Sequence, residues 1–214
     1  MQTVALIDYG SGNLRSAQNA LERVAAASPG GARIAVTNDP EVVAKADRIV
    51  LPGVGAFAAC RDALMAREGG VEAMTEAVRE RGVPFLGVCV GMQLLATRGL
   101  EFGETPGLDW IGGEVRRLAP ASPTCKVPHM GWNAVEDLSP AGGGLGLDPG
   151  AAMYFTHSFA FHAAEPADVA AWTDHGGRFA AAVARGNVAG VQFHPEKSQS
   201  AGLSLLARFL EWRP

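Results

Sequence analysis

Apolar positions along the first half of the chain fall into two alternating rhythms, and that alternation predicts an α/β protein. Residues 3–8 form a short apolar run closing on an acidic residue, the pattern of a buried strand. The turn signal Tyr9-Gly10-Ser11-Gly12-Asn13 follows. Leu14, Ala17, Leu21 and Val24 then recur at helical spacing, with Asn13 at the N-cap position and Pro29-Gly30-Gly31 as the stop. Strand, glycine turn, helix is how an α/β domain opens. Residues 33–36 and 48–51 read as two more strands, the second ending in the glycine-rich turn Pro52-Gly53-Val54-Gly55. Val71, Met74 and Val78 mark the inner stripe of a helix that stops at Gly82, just before Pro84. Residues 83–88 are the next buried strand, running through Cys89 into Met92-Gln93-Leu94-Leu95, which reads as a helix start.

After residue 100 strands dominate. Residues 110–118 and 126–137 read as strands separated by 120–124, and 153–156, 158–162, 169–173, 179–185 and 188–193 continue the pattern. Arg185-Gly186-Asn187 is a hairpin turn signal. Residues 139–150 carry five glycines and two prolines, which predicts a mobile surface loop. Leu203, Leu206, Phe209 and Leu210 share one face of a C-terminal helix docked on the core. With no repeat, linker or low-complexity tract, residues 1–214 are expected to form a single domain.

Composition narrows the function classes. Of 214 residues, 48% are apolar and 19% charged, ordinary values for a globular protein. A net charge of −4 with no Lys/Arg run argues against a nucleic-acid partner. No apolar stretch approaches the roughly 20 residues that span a bilayer, and Met1-Gln2-Thr3-Val4 does not start a signal peptide. The three cysteines lack C-x-x-C spacing, which fits neither a disulfide framework nor a thiolate zinc site, so a cytoplasmic location is expected. Nor does Gly10-x-Gly12 open a dinucleotide fingerprint, because its third glycine would fall on Arg15.

The chemistry concentrates at two places. In Gly87-Val88-Cys89-Val90-Gly91, glycines two residues either side of a reactive side chain permit a sharp strand-to-helix turn with the cysteine on top. A helix N-terminus there would favour the thiolate; the alternative is a buried cysteine packing as a small hydrophobe. Of the five histidines, only His194 ends a strongly β-patterned run and has a carboxylate two residues on. The fixed φ of Pro195 extends that tripeptide, so His194 and Glu196 point the same way. Nucleophile, base and orienting acid together predict a Cys89-His194-Glu196 triad. Gln93, one helical turn past Cys89, could hold the substrate. His157 and His162 do not have zinc-ligand spacing.

The elbow at 87–95 and Phe193-His194-Pro195-Glu196 resemble the two signatures of the triad-type (class I) glutamine amidotransferases. Five further blocks sharpen the resemblance: Asp8 to Leu14, Leu51 to Phe57, Pro128 to Asn133, Tyr154 to Phe159, and Glu196-Lys197-Ser198. They are similar to the members of that family that feed ammonia to a (β/α)₈-barrel cyclase in histidine biosynthesis. The resemblance implies a flavodoxin-like three-layer α/β/α fold with a mixed, mainly parallel sheet and an antiparallel strand-rich C-terminal half. It also implies hydrolysis of L-glutamine without a cofactor or metal. Val90 and Val54 are the implied oxyanion donors, the peptide at Val54 having to reorient. Gly53, Gly55, Gln93, Thr156, His157 and Ser158 are the implied glutamine contacts, and Asn13, Met130, Trp132 and Asn133 the implied cyclase interface. Departures are Val90 where leucine is usual, Phe159 where tyrosine is common, and a long 139–150 loop. Two rivals stand beside this reading. One is a related cysteine hydrolase of the γ-glutamyl peptidase or deglycase type, which lacks the Asp8 and Pro128 blocks. The other is a non-catalytic amidotransferase-like binding module, which would not need the triad.

Overall fold

Continuous apolar runs and helical stripes build the first half, as the pattern implies. In a computed structural model describing residues 1–214, the order is β1 (Gln2–Ile7), α1 (Leu14–Ala27), β2 (Ala32–Thr37), α2 (Pro40–Ala44) and β3 (Arg48–Gly53). There follow α3 (Phe57–Met65), α4 (Gly70–Thr75), which continues into a π-helical turn (Glu76–Glu80), β4 (Phe85–Cys89) and the single turn α5 (Val90–Gln93). Every residue of β3 and β4 is buried, as expected of central parallel strands covered on both faces.

The second half adds β5 (Arg98–Gly99), β6 (Thr105–Pro106), β7 (Gly113–Arg117), β8 (His129–Val135), α6 (Pro140–Gly144), β9 (Ala151–His157) and β10 (Phe159–Ala163). The chain closes with β11 (Val169–Asp174), β12 (Arg178–Arg185), β13 (Val188–Val191) and α7 (Gln199–Glu211). The main sheet has seven strands in the order β11-β12-β13-β4-β3-β1-β2. From β13 to β2 all pairings are parallel, and β12 and β11 are antiparallel additions. The order reverses at β1, so right-handed crossovers put α1 on one face and α2 to α4 on the other; α1 packs on α7, and α2 and α3 pack on α4. Ligand crevices of open α/β sheets lie at the carboxyl ends of such strands. Here those ends carry the Tyr9–Asn13 turn, the Pro52–Gly55 turn and Cys89. A four-stranded sheet (β10-β7-β5-β6) and the antiparallel pair β8-β9 flank the same edge. One continuous cluster of 58 buried apolar residues supports all of it. No helix is long and apolar enough to cross a membrane.

Three expectations need correction. The helix after Cys89 is one turn, not a full helix, and Leu94, Leu95 and Ala96 leave it fully buried. The 139–150 stretch is no plain surface loop. It forms α6, Leu145 and Leu147 join the core, and Gly142 lies so close to the Ala170 carbonyl oxygen that a Cβ would collide. Composition flagged its glycines as loop formers, whereas two leucines and one close approach anchor it. Asn13 does occupy the N-cap position of α1, but its side chain makes no capping hydrogen bond.

Candidate active site

Cys89 is the last residue of β4 and sits at φ 55°, ψ −112°, a conformation that costs a non-glycine residue about 1–3 kcal/mol. Its two glycine neighbours make room for it. A Cβ on Gly87 would lie 2.5 Å from the Gly91 carbonyl oxygen, and one on Gly91 would run into the Leu51 carbonyl oxygen. The elbow therefore wedges backbone against backbone and lifts the thiol above the sheet edge. Because α5 is only four residues long, helix-dipole support for a thiolate is slight. Charge at this cysteine must be managed by side chains.

His194 is the principal one. Its backbone N–H donates to the Tyr154 carbonyl at 2.9 Å. Ser198 Oγ donates to the His194 carbonyl at 2.6 Å while accepting the Tyr154 N–H at 3.0 Å, which clamps this segment to β9. Nδ1 lies 2.8 Å from Glu196 Oε1, and both side chains are almost wholly buried. Nε2 is buried without a partner of standard hydrogen-bond geometry, yet the Cys89 thiol is close enough to act on its titration. The two observations fit a sulfur that is near but not aligned, as catalytic contacts often are before substrate arrives. Burial pulls the His194 pKa down, but contacts with Cys89 and then Glu196 outweigh it and raise the value to about 9. The imidazolium form is thus favoured.

Val54, Gly55, Cys89, Val90, Gln93, Thr156, His157, Ser158 and His194 share a cleft of about 340 Å³. Gly53 lies outside it, in the wall of a small adjoining cavity with Asn13 and Glu196. Gln93 differs from its expected role. It is buried, and its Nε2 donates to the Phe159 carbonyl at 2.9 Å and to Gln192 Oε1 at 3.0 Å. Only its Oε1 is left for a ligand. The Val54 N–H is likewise engaged, donating to Ser11 Oγ at 3.3 Å. The Val54 carbonyl accepts from Ser11 Oγ at 2.7 Å and from Cys60 Sγ at 3.2 Å. Tyr9, buried to the point that its pKa is driven far up, donates to the Pro52 carbonyl at 2.7 Å.

His157 is fixed as a neutral group. A carbonyl can only accept, so the Nδ1 lying 2.8 Å from the Phe159 oxygen carries the proton. Nε2 then accepts from His129 Nδ1 at 3.1 Å, and His129 Nε2 accepts from Asn133 Nδ2 at 3.3 Å. Burial first, then neighbouring histidines, lower His157 to about 3 and His129 to about 4. In the unfolded chain both would titrate near 6.5. The unfolded state therefore binds more protons between about pH 6.5 and these values, and stability falls as pH drops through that window. The melting temperature is expected to decline below pH 6.5, and His157→Asn to flatten the slope; an unchanged slope would contradict the neutral pair. No group of three or more His, Cys, Asp or Glu side chains is arranged to hold a metal ion.

The expected interface residues differ in their surroundings. Met130 and Trp132, alternate residues of β8, are 65% and 49% exposed. The half-buried Asn133 donates to the Asp174 carbonyl at 2.7 Å, and Asn13 lines the small cavity. Two charged residues line the cleft that the sequence reading did not place there. Glu101, whose Oε2 accepts the Phe57 N–H at 2.8 Å, comes from the loop after β5, and Lys197 follows Glu196. Gln192 did have a signal, since strand alternation puts residues 192 and 194 on the same side.

The class comes first. The family model described as glutamine amidotransferase class-I matches residues 5–212. Solved structures agree on the fold: a crystal structure of glutamine amidotransferase superposes with a TM-score of 0.71 at 21% identity, covering 98% of this chain and 97% of that one. PurLQS from Thermotoga maritima gives a TM-score of 0.69 at 20% identity over 99% of both chains. Nearer relatives are more specific. The imidazole glycerol phosphate synthase subunit HisH of Caulobacter vibrioides is 63% identical over the full length of both proteins, and that of Rhodospirillum rubrum is 55% identical over 99% of both. The chain belongs to the HisH family of class-I glutamine amidotransferases.

Proposed function

We propose that this chain is the glutaminase subunit of imidazole glycerol phosphate synthase, with Cys89, His194 and Glu196 as its triad. The observation that carries the reading is the buried His194–Glu196 pair at 2.8 Å set beside an elbow cysteine in a substrate-sized cleft. The Cys89 sulfur attacks the side-chain amide carbon of L-glutamine. His194 delivers a proton to the departing nitrogen, the C–N bond breaks, and ammonia and a γ-glutamyl thioester result. His194 then takes a proton from water, which attacks the thioester; glutamate leaves and the thiolate is restored. Glu196 holds the imidazole and offsets its charge. The Val90 N–H, at the first helical position and without an intrahelical acceptor, meets the oxyanion. The Val54 N–H joins it once its peptide leaves Ser11.

Glutamine's zwitterionic end suits the two charged residues of the cleft, Glu101 for the ammonium and Lys197 for the carboxylate, beside the backbone of Thr156, His157 and Ser158. A charge-assisted hydrogen bond is worth about 1.5–3 kcal/mol. Glu101→Gln is therefore expected to raise KM by at least about tenfold with kcat little changed, as steady-state glutamate release would show. An unchanged KM removes Glu101 from binding. Ammonia passes to a (β/α)₈-barrel cyclase in the cytoplasm, which forms imidazole glycerol phosphate and aminoimidazole carboxamide ribotide. Met130 and Trp132 are the surface residues suited to that partner. The direct test is an acid quench of the complex turning over glutamine. A γ-glutamyl adduct on the Cys89 peptide is expected by mass spectrometry; glutamate release with the adduct on another residue would overturn the assignment.

A further inference from the structure

The direction of one buried hydrogen-bond chain singles out Gln192. This residue is fully buried, just beyond β13 and two residues before His194. A buried primary amide needs partners for both its nitrogen and its oxygen. Their orientation follows from a group that cannot be turned around. The Phe159 carbonyl only accepts, so the Gln93 atom 2.9 Å from it is Nε2. The same nitrogen lies 3.0 Å from Gln192, so the Gln192 atom facing it is Oε1. Gln192 Nε2 is thereby aimed the other way, and its one hydrogen-bond acceptor is Cys89 Sγ at 3.8 Å.

We propose that Gln192 is a positioning residue for the nucleophile, donating an N–H to the Cys89 sulfur so that the thiolate is held and stabilised for reaction with His194 as its proton partner. This rests on Cys89 being the nucleophile. A thiol is a weak acceptor and a thiolate a strong one, so a donor fixed against the sulfur favours the charged form. Burial alone would do the reverse. Other groups around Cys89 act differently. His194, backed by Glu196, supplies the proton-transfer partner. The Tyr9 phenol, at the end of β1, is committed to the Pro52 carbonyl. His157, Glu101 and Lys197 face the cleft from its other walls. Among these side chains, only Gln192 brings a nitrogen within hydrogen-bond geometry of the sulfur.

The test is Gln192→Met and Gln192→Leu, which fill the space and leave Gln93 Nε2 its bond to Phe159. Two readouts separate positioning from packing: the pH profile of Cys89 alkylation by iodoacetamide, followed on its own peptide by mass spectrometry, and kcat and KM for glutamine in the cyclase complex. The midpoint of alkylation is expected to rise by about one pH unit and kcat to fall about tenfold, one unit being a tenfold change in an equilibrium. KM is expected to stay within about twofold. A cooperatively melting variant whose alkylation profile overlays that of the parent overturns the proposal. Gln192→Asn, which draws the nitrogen back by one methylene, supplies that folded variant should the apolar ones not melt cooperatively. If Cys89→Ala keeps full turnover, the nucleophile reading itself falls. If Cys89→Ala is dead but the Gln192 profile does not move, only this inference falls.

Discussion

Cys89→Ala is expected to remove glutamine-dependent turnover by at least about 10⁴-fold, the scale seen when a triad nucleophile is deleted. The cyclase complex supplied with an ammonium salt is expected to keep its synthesis, because the substitution removes the source of ammonia and leaves its consumer alone. The loss should be chemical, not structural. Alanine carries a Cβ just as cysteine does, so the elbow with its tight Gly87 and Gly91 contacts is unchanged. The buried amide of Gln192 does lose its acceptor, at a cost of about 1–3 kcal/mol. For a chain of this size that amounts to a few degrees of melting temperature. Glutamate release and ammonium-dependent synthesis, measured on one preparation, separate the outcomes. Glutamine-dependent turnover that survives the substitution would exclude Cys89 as the nucleophile, and loss of both activities would mean the complex had not assembled.

How much of this could be read beforehand depended on whether a residue's job shows in its local pattern. The strand ending at Cys89 was legible because parallel central strands are apolar throughout, and the elbow because only glycines tolerate backbone packed as close as Gly87 to Gly91. The pairing of His194 with Glu196 was legible from their spacing, but not for the expected reason: Pro195 does not extend the tripeptide but opens a 3-10 turn over Pro195–Lys197, and the turn brings the carboxylate to the imidazole. The remaining features depend on partners distant in sequence. Glu101 reaches the cleft only because β5 pairs with β7, which no local spacing announces. Gln93 was expected to offer its amide to substrate, but Phe159 and Gln192, 66 and 99 residues away in sequence, claim its nitrogen. The 139–150 stretch misled for a related reason. Glycine was read as freedom, while at Gly142 it serves a close approach to Ala170.

Ser11→Ala is expected to raise glutamine hydrolysis by the chain without its partner. In this structure the hydroxyl of Ser11 holds Val54 at both ends, accepting its N–H at 3.3 Å and donating to its carbonyl at 2.7 Å. The neighbouring Pro52 carbonyl is pinned by Tyr9, and Cys60 Sγ also donates to the Val54 carbonyl. The Val54 N–H of the Gly53–Val54 peptide is thus held by one long hydrogen bond, between two better-anchored carbonyls. Gly55, at φ +100°, adds the backbone freedom on the far side. Alanine removes the acceptor of the half-exposed Val54 N–H and leaves Cys60 on the carbonyl, so the latched orientation loses about 0.5–1.5 kcal/mol. That is roughly a two- to tenfold shift toward the orientation that presents the N–H to the oxyanion. The gain cannot exceed what one oxyanion donor provides, about 10²–10³-fold. Basal kcat is therefore expected to rise at least about twofold with KM nearly constant, and stimulation by the cyclase to shrink by the same factor. Steady-state assays of the free subunit and of the complex read both quantities. A basal rate that stays flat in a folded Ser11→Ala protein would show that the Ser11 contact does not restrain the Val54 peptide.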